Sequence, residues 1–308
     1  MNEILSYLPK VIVEKLLQLP SSLFQKIEEI RLRITRPIEV VTSVDVIYLP
    51  YRFTSEDAER FIQNLSYSSF YTLEEELKRG YITIEGGHRI GLAGKVILEG
   101  GYVKAIRDIA SFNIRIAREQ IGIAEPLIPY LYENGWKHTM IIGPPQTGKT
   151  TLLRDIARII STGWEKKKIQ PQKVGIVDER SEIAGCVQGI PQLTFGPRVD
   201  VLDACPKSEG MMMLIRSMSP NVLIVDEIGS KEDGEAIMEA VHAGICLMMT
   251  THGESFEDIQ KRPTLQTIIE QKIFERYIEL SRAHSPGYIR RIRDKNGRDL
   301  RKESEILW

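Results

Sequence analysis

Gly143-Pro144-Pro145-Gln146-Thr147-Gly148-Lys149-Thr150 is the stretch that decides the fold. It has the spacing G-x-x-x-x-G-K-[ST], with an apolar strand pattern over 140–142 before it and a helical pattern over 150–160 after it. Glycines let such a loop wrap closely, so that its backbone N–H groups point at a β-phosphate. The N-terminus of the following helix adds the positive end of its dipole. Lys149 is placed to bridge the β- and γ-phosphates, and the Thr150 hydroxyl to ligate Mg²⁺. The nucleotide-binding set is therefore read as Gly143, Pro144, Pro145, Gln146, Thr147, Gly148, Lys149, Thr150 and Thr151.

A phosphate loop specifies a nucleotide but no chemistry; the strands beyond it supply that. Val222-Leu223-Ile224-Val225-Asp226-Glu227 is an apolar strand ending in two adjacent carboxylates. Ligands of open α/β sheets sit at the carboxyl ends of strands, so both acids are expected to face the loop. Asp226 is placed to hold the Mg²⁺ shell through water, with Thr150 as the other metal residue, and Glu227 to polarise an attacking water. A further strand pattern over 174–177 ends in Asp178-Glu179-Arg180-Ser181-Glu182, and another over 245–249 ends in Thr250-Thr251-His252. Glu179 and His252 join Glu227 and Lys149 as catalytic candidates, with His252 read as a γ-phosphate sensor or ring-coupling residue; Thr250 and Thr251 are candidates to contact the attacking water. A strand inserted between phosphate loop and metal acid, with a Glu beside that acid, marks ATPases that activate water with their own glutamate. ATP is thus the nucleotide expected. The guanine-reading order N-K-x-D is absent, since Asp294-Lys295-Asn296 runs differently. Arg89, Arg107, Arg115, Arg180, Arg198 and Arg216 are candidates for an arginine finger on the transferring phosphoryl group.

Outward from the loop, strand patterns over 138–142, 173–178, 221–226 and 245–250 alternate with helical patterns over 149–161, 206–218 and 230–243, the last capped by Ser230. Residues 179–206 read as irregular, and 276–282 with 287–293 as a hairpin closing on Asn296-Gly297. Buried strands alternating with helices imply an α/β class, with a mainly parallel sheet and helices on both faces. The chain before residue 120 reads differently. A helix is expected over 1–19, ended by Pro20, then adjacent strands over 29–34 and 38–42 around Pro37. Helices follow over 55–65 and 73–79, with Ser55 and Thr72 as caps. Short strands over 81–84, 89–92, 95–98, 102–106 and 112–117 are separated by glycine turns. This is a smaller α+β domain, 1–120, ahead of the nucleotide domain, 121–308, with 118–126 as the boundary.

Composition sets limits on the rest. A chain of 308 residues exceeds what one core usually serves. Its 41 Lys plus Arg balance 42 Asp plus Glu, a net charge of −1, so no global basic field gathers nucleic acid. The stretch 286–308, with seven Lys/Arg against four acids, is the one candidate patch. Cys186, Cys205 and Cys246 are odd in number and give neither a disulfide framework nor a metal pair. Met211-Met212-Met213 reads as core or interface packing. No apolar run has membrane-spanning length and no signal peptide is read, so a cytoplasmic protein is expected, without direct membrane insertion but able to dock on membrane proteins.

These motifs resemble the secretion-type ATPases of type II and type IV systems. Arg216-Ser217-Met218-Ser219-Pro220-Asn221 with 222–228 is similar to that family's metal-site strand, 244–252 to its histidine box, 178–182 to its acidic box, and 111–115 to an arginine-bearing strand ahead of the core. Two positions depart from it: Asp226 stands where those motors usually carry Gly, and Gly229 where they usually carry Arg. With 29–36, 87–94 and 274–282 included, the whole chain resembles a family of stage III sporulation proteins. The resemblance implies a RecA-like P-loop ATPase core working as a homo-oligomer, a hexamer. It implies membrane-complex proteins of the sporulation apparatus as partners, between mother cell and forespore. ATP would sit at the domain junction and between subunits. The alternative is a nucleic-acid-directed RecA-like ATPase, disfavoured by the charge balance.

Overall fold

Pro9 divides the first expected helix in two. Proline lacks an N–H and forces the residue before it out of the helical region, and Leu8 is extended, with ψ 146°. Helix α1 (Asn2–Tyr7) and α2 (Lys10–Leu17) result, followed by a single turn, α3 (Ser21–Phe24). The structure, a computed structural model, describes residues 1–66, 76–282 and 287–300. The chain divides into two units. One is Met1–Arg118 with Gly185–Gln192, the other Glu119–Ala184 with Leu193–Trp308.

The first unit is built on an antiparallel sheet of β1 (Ile27–Arg33), β2 (Pro37–Thr42), β3 (Val46–Arg52), β4 (Tyr81–Ile84), β5 (His88–Glu99) and β6 (Tyr102–Arg115), in the order β3-β2-β1-β6-β5-β4. Strand β3 has no counterpart in the sequence reading. It is an edge strand with only Leu49 buried, so its alternation is muted. The two short strands expected on either side of Gly94 are one strand, β5, with a register shift there. A Cβ at Gly94 would lie 2.5 Å from the Arg107 carbonyl oxygen, so the glycine marks a close-packed bulge and not a turn. The strands expected over 102–106 and 112–117 are likewise parts of β6. Helix α4 (Ser55–Ser66) is capped one residue earlier than expected. The Thr54 hydroxyl accepts from Asp57 N–H (3.1 Å) while the Asp57 carboxylate accepts from Thr54 N–H (3.0 Å), a reciprocal box. The cap expected at Thr72 and the first three residues of the helix expected over 73–79 lie outside the described residues, whereas 76–79 are helical. Phe53 and Phe61 meet Phe112 edge-on at 5.9 and 5.1 Å in this unit's core.

The second unit carries the phosphate loop. After a turn of helix, α5 (Ile128–Leu131), its strands are β7 (Thr139–Ile142), β8 (Val174–Asp178), β9 (Val199–Asp203), β10 (Val222–Val225), β11 (Cys246–Thr251), β12 (Arg276–Leu280) and β13 (Ile289–Asp294), in the order β13-β12-β7-β11-β10-β8-β9. Every pair is parallel except β12 with β13. Its helices are α6 (Lys149–Thr162), α7 (Lys207–Ser217), α8 (Lys231–His242), α9 (Phe256–Ile259) and α10 (Pro263–Glu270). Alternate residues of each strand feed opposite cores. Ile141, Ile224 and Met248 join Leu152, Leu153 and Ile156 of α6, whereas Met140, Leu223 and Met249 join Met211 and Leu214 of α7 and Ile237 of α8. Helices therefore cover both faces, as the α/β reading requires.

The stretch expected to be irregular, 179–206, contains β9, an edge strand whose residues are all half-buried. Asn296-Gly297 does not close the last hairpin. It forms a turn after β13, bringing Asp299 back beside Arg293. Among the described residues no helix is long and apolar enough to cross a membrane.

Candidate nucleotide site

Strand β7 runs straight into the loop, where three local features shape a phosphate-sized turn. At Gly143 a Cβ would meet the Thr147 Oγ1 at 2.6 Å and the Leu280 side chain at 3.1 Å, so only glycine fits. Gln146 (φ 63°) and Gly148 (φ 87°) are left-handed, which turns successive N–H groups to one side. Gly148 caps α6 without any side chain occupying its first-turn N–H groups. The loop's carbonyls are held from behind. Thr147 Oγ1 and Lys149 Nζ donate to Pro144 O (2.8 and 3.0 Å), Arg282 donates twice to Pro145 O (3.1 and 2.6 Å), and Gly287 N–H donates to Thr147 O (2.8 Å). Fixing carbonyls this way leaves the amides to face a ligand.

The parallel register Val225↔Met249 sets the end of β10 beside the end of β11. The Thr250 hydroxyl donates to Asp226 Oδ1 and accepts from Glu227 N–H (2.9 Å), pinning both acids. Asp226 Oδ2 accepts from the Thr150 hydroxyl at 3.2 Å, so the two residues expected to serve the metal adjoin each other. A hydroxyl and a carboxylate oxygen are the hard donors that Mg²⁺ takes alongside water and phosphate. Glu227 lies in the left-handed region (φ 41°), costly for a non-glycine side chain and common at functional sites.

His252 links the loop lysine to that glutamate. Its Nδ1 lies 3.2 Å from Lys149 Nζ and its Nε2 2.7 Å from Glu227 Oε1. An ammonium can only donate, so Nδ1 must accept, and the ring proton sits on Nε2 facing the carboxylate. Arg262 holds the His252 carbonyl (2.6 Å) and Asp258 (2.9 Å) at once. Lys149 is 4% exposed; burial lowers its pKa, while the Glu227 and Asp226 carboxylates act in the opposite sense.

The acidic stretch after β8 works differently. Asp178 accepts N–H bonds from Glu182, Ile183 and Ala184 (2.8, 3.0 and 2.8 Å), and Arg154 of α6 donates to the carbonyls of Ile183 and Glu182. Burial nevertheless pushes the Asp178 carboxyl up to about 6. Glu179 pairs with Lys207 Nζ at 2.5 Å. Of the arginines, Arg180 Nη1 is 3.7 Å from Glu227 Oε2. Arg198 donates to Pro171 O, Arg89 stacks on Tyr81 at 3.6 Å, and Arg115 lies 3.8 Å from Glu29. The structure thus gathers Lys149, Thr150, Asp226, Glu227, Thr250 and His252. Arg282 and Arg262 belong with them and carry no motif that would reveal them, because each acts on a backbone carbonyl.

The model of the family described as "Sporulation stage III, protein AA" matches residues 1–300. The chain belongs to that family. A Stage III sporulation protein AA of Bacillus subtilis (strain 168) is 58% identical over 306 residues, 99% of each chain. A protein of Cyanidium caldarium, "Uncharacterized protein ycf45", is 33% identical over 165 residues, 53% of this chain and 46% of that one. Among solved structures, the Legionella pneumophila ATPase DotB superposes with a TM-score of 0.58 at 16% identity, over 87% of this chain and 75% of that one. The pilus retraction motor PilT with bound ADP gives 0.57 at 15% identity, over 88% and 76%. This member of the sporulation stage III family therefore has the fold of secretion-type ATPases.

Proposed function

We propose that this chain is a Mg²⁺-dependent ATP hydrolase of the secretion-motor type, acting as a hexameric homo-oligomer in the cytoplasm. In this reading it powers a sporulation membrane complex between mother cell and forespore, reached through protein partners. The observation that carries the reading is the Lys149–His252–Glu227 relay closing over the phosphate loop, beside the Thr150–Asp226 pair.

The N–H groups of the loop and of the first turn of α6 bind the β-phosphate. Lys149, stripped of water, exchanges the His252 nitrogen for phosphate oxygens, which as anions are the better acceptors. His252, released from Lys149, keeps its Nε2 proton toward Glu227, and it meets a γ-phosphate oxygen only once Nδ1 has taken up a proton and can donate. Glu227, held at the backbone by Thr250, orients a water and accepts its proton as the water oxygen bonds to the γ-phosphorus and the bond from that phosphorus to the bridging β-phosphate oxygen breaks, with ADP as the leaving group. Thr150 and Asp226 would hold the Mg²⁺, which neutralises charge on the β- and γ-phosphate oxygens when bound. The alternative of a nucleic-acid-directed ATPase has little to stand on in the described residues. Within the basic stretch, Arg293 is buried in an ion pair with Glu279, and Arg291 lies 4.0 Å from Asp299.

The direct test is Glu227→Gln, assayed for nucleotide binding and for turnover. Loss of a general base removes on the order of 10²–10⁴ in rate. Binding is expected to persist and phosphate release to drop by that factor. Turnover within twofold of the unaltered chain would remove Glu227 from the mechanism.

A further inference from the structure

On the second unit, away from the phosphate loop, a groove of about 990 Å³ runs between α7 and α8. Its floor is Met212, packed against the core, with Met213 and the buried Ala236. Met213 is 52% exposed, and Met218 just beyond α7 is 42% exposed. Single exposed apolar residues are ordinary, but adjoining methionines in a concavity make an adaptable apolar surface. The rim is acidic. Glu232, Glu235 and Glu239 follow one another at spacings of three and four along α8, which places them on one face over about 10 Å. Glu209 stands on the α7 side, and Arg216 is the one cation among the lining residues. None of these five charged side chains forms an ion pair with another described residue. Four like charges stand exposed around an apolar floor with no ion pair to offset their mutual repulsion.

We infer that this groove docks a cationic amphipathic helix of a partner protein. A helix fits because both walls are helices, with no open strand edge to which an extended segment could bond; a helix brings its backbone already satisfied. Its apolar ridge lies on the methionines, and Lys or Arg at spacings of three and four run along its flank opposite the Glu232–Glu235–Glu239 row. A second copy of this chain lacks such a helix among its described residues. Helix α2 turns Ile12 and Leu16 into its own core and sets Glu14 between Lys10 and Lys15. In α6, Arg154 and Arg158 are engaged with Ile183, Glu182 and Asp155, and α10 carries no cation. The inference stands apart from nucleotide chemistry, because no lining residue is among those gathered at the phosphate loop; Arg216, a finger candidate by sequence, lines this groove instead.

The test uses the full chain and a fluorescein-labelled helical peptide of about sixteen residues, with leucines on one face and lysines along one flank. Its twin carries glutamates in place of the lysines. By fluorescence anisotropy the lysine peptide should bind, weaken with added salt, and bind at least tenfold more weakly to Glu232→Lys/Glu235→Lys/Glu239→Lys. The glutamate peptide should show the opposite preference. Met213→Asp, a single change at an exposed position, should independently weaken the lysine peptide, so the inference stays testable if the triple variant folds poorly. ATP binding by each variant serves as the folding control. Equal affinity of the lysine peptide for all three chains overturns the inference. So does a shift in sedimentation mass on charge reversal, which would assign the groove to a second copy instead.

Discussion

Asp178 is a carboxylate that burial and hydrogen bonding pull in opposite directions. Three N–H donors favour its charged form, yet burial prevails and its carboxyl titrates at about 6 against an ordinary 3.8. The folded state therefore binds a proton more readily than the unfolded chain. The sign follows: this contribution to stability is fully present below about pH 4 and is lost as pH rises through 6. A shift of that size corresponds to about 3 kcal/mol. Asp178→Asn mimics the protonated form, and its urea midpoint should lose this slope between pH 4 and 6 relative to the unaltered chain. It should also cost about 1–3 kcal/mol where an amide nitrogen replaces an accepting oxygen. Parallel pH profiles for the two chains would show that Asp178 is charged throughout. Asp178 was legible in the sequence only as one of a run of acids, since its role depends on three backbone groups that carry no residue identity. That Lys149, Asp226, Glu227 and His252 would converge was legible because each sits at a fixed offset from a strand end. Arg282 was not, because its partner is the Pro145 carbonyl across the sheet.

At the scale of elements, the strands buried on both faces were legible in the sequence, as were the edges β4 and β13, whereas the edges β3 and β9 were not. Central strands β7, β8, β10 and β11 read as continuous apolar runs. Edge strands β3 and β9 present mixed surfaces, so their pattern falls below recognition. The β12–β13 pair was recognised, but not what fastens it. Arg293 Nε bonds Glu279 Oε1 at 2.7 Å, both side chains being buried, and the guanidinium also reaches Glu257 at 2.8 Å and faces the Phe256 ring. Phe256 N–H donates to the same Glu279 oxygen, so the hairpin is tied to α9 just beyond His252. Arg293→Leu would leave Glu279 buried without its counter-charge, a loss of about 3–5 kcal/mol. Adding Glu279→Leu should restore most of that, since both charges are then gone. Chemical denaturation of the two variants checks it; a double variant no more stable than the single one would mean that the pair acts through packing and not through charge.

At the scale of the whole molecule, the change from alternating short strands to strand–helix alternation near residue 118 was readable, whereas the excursion of Gly185–Gln192 into the first unit was not. That segment is short, with no apolar period, and it is held by particulars: Gly86 N–H donates to the Gln192 amide oxygen at 3.3 Å, and a Cβ at Gly185 would lie 2.9 Å from the Gly87 Cα. The two units have separate hydrophobic cores, one around Phe53, Phe61 and Phe112, the others on the two faces of the parallel sheet. Separate cores can melt separately. A ligand that binds one folded unit stabilises that unit by mass action, about 2.7 kcal/mol at a hundredfold excess over its dissociation constant. Calorimetry of the full chain should then resolve two transitions, of which Mg²⁺-ATP raises one and leaves the other in place. Lys149→Ala should cancel the ATP shift without removing either transition, because it deletes the side chain proposed to meet the phosphates and no core residue. A single transition that ATP moves as a whole would show instead that the excursion through residues 185–192 makes the two cores one cooperative unit.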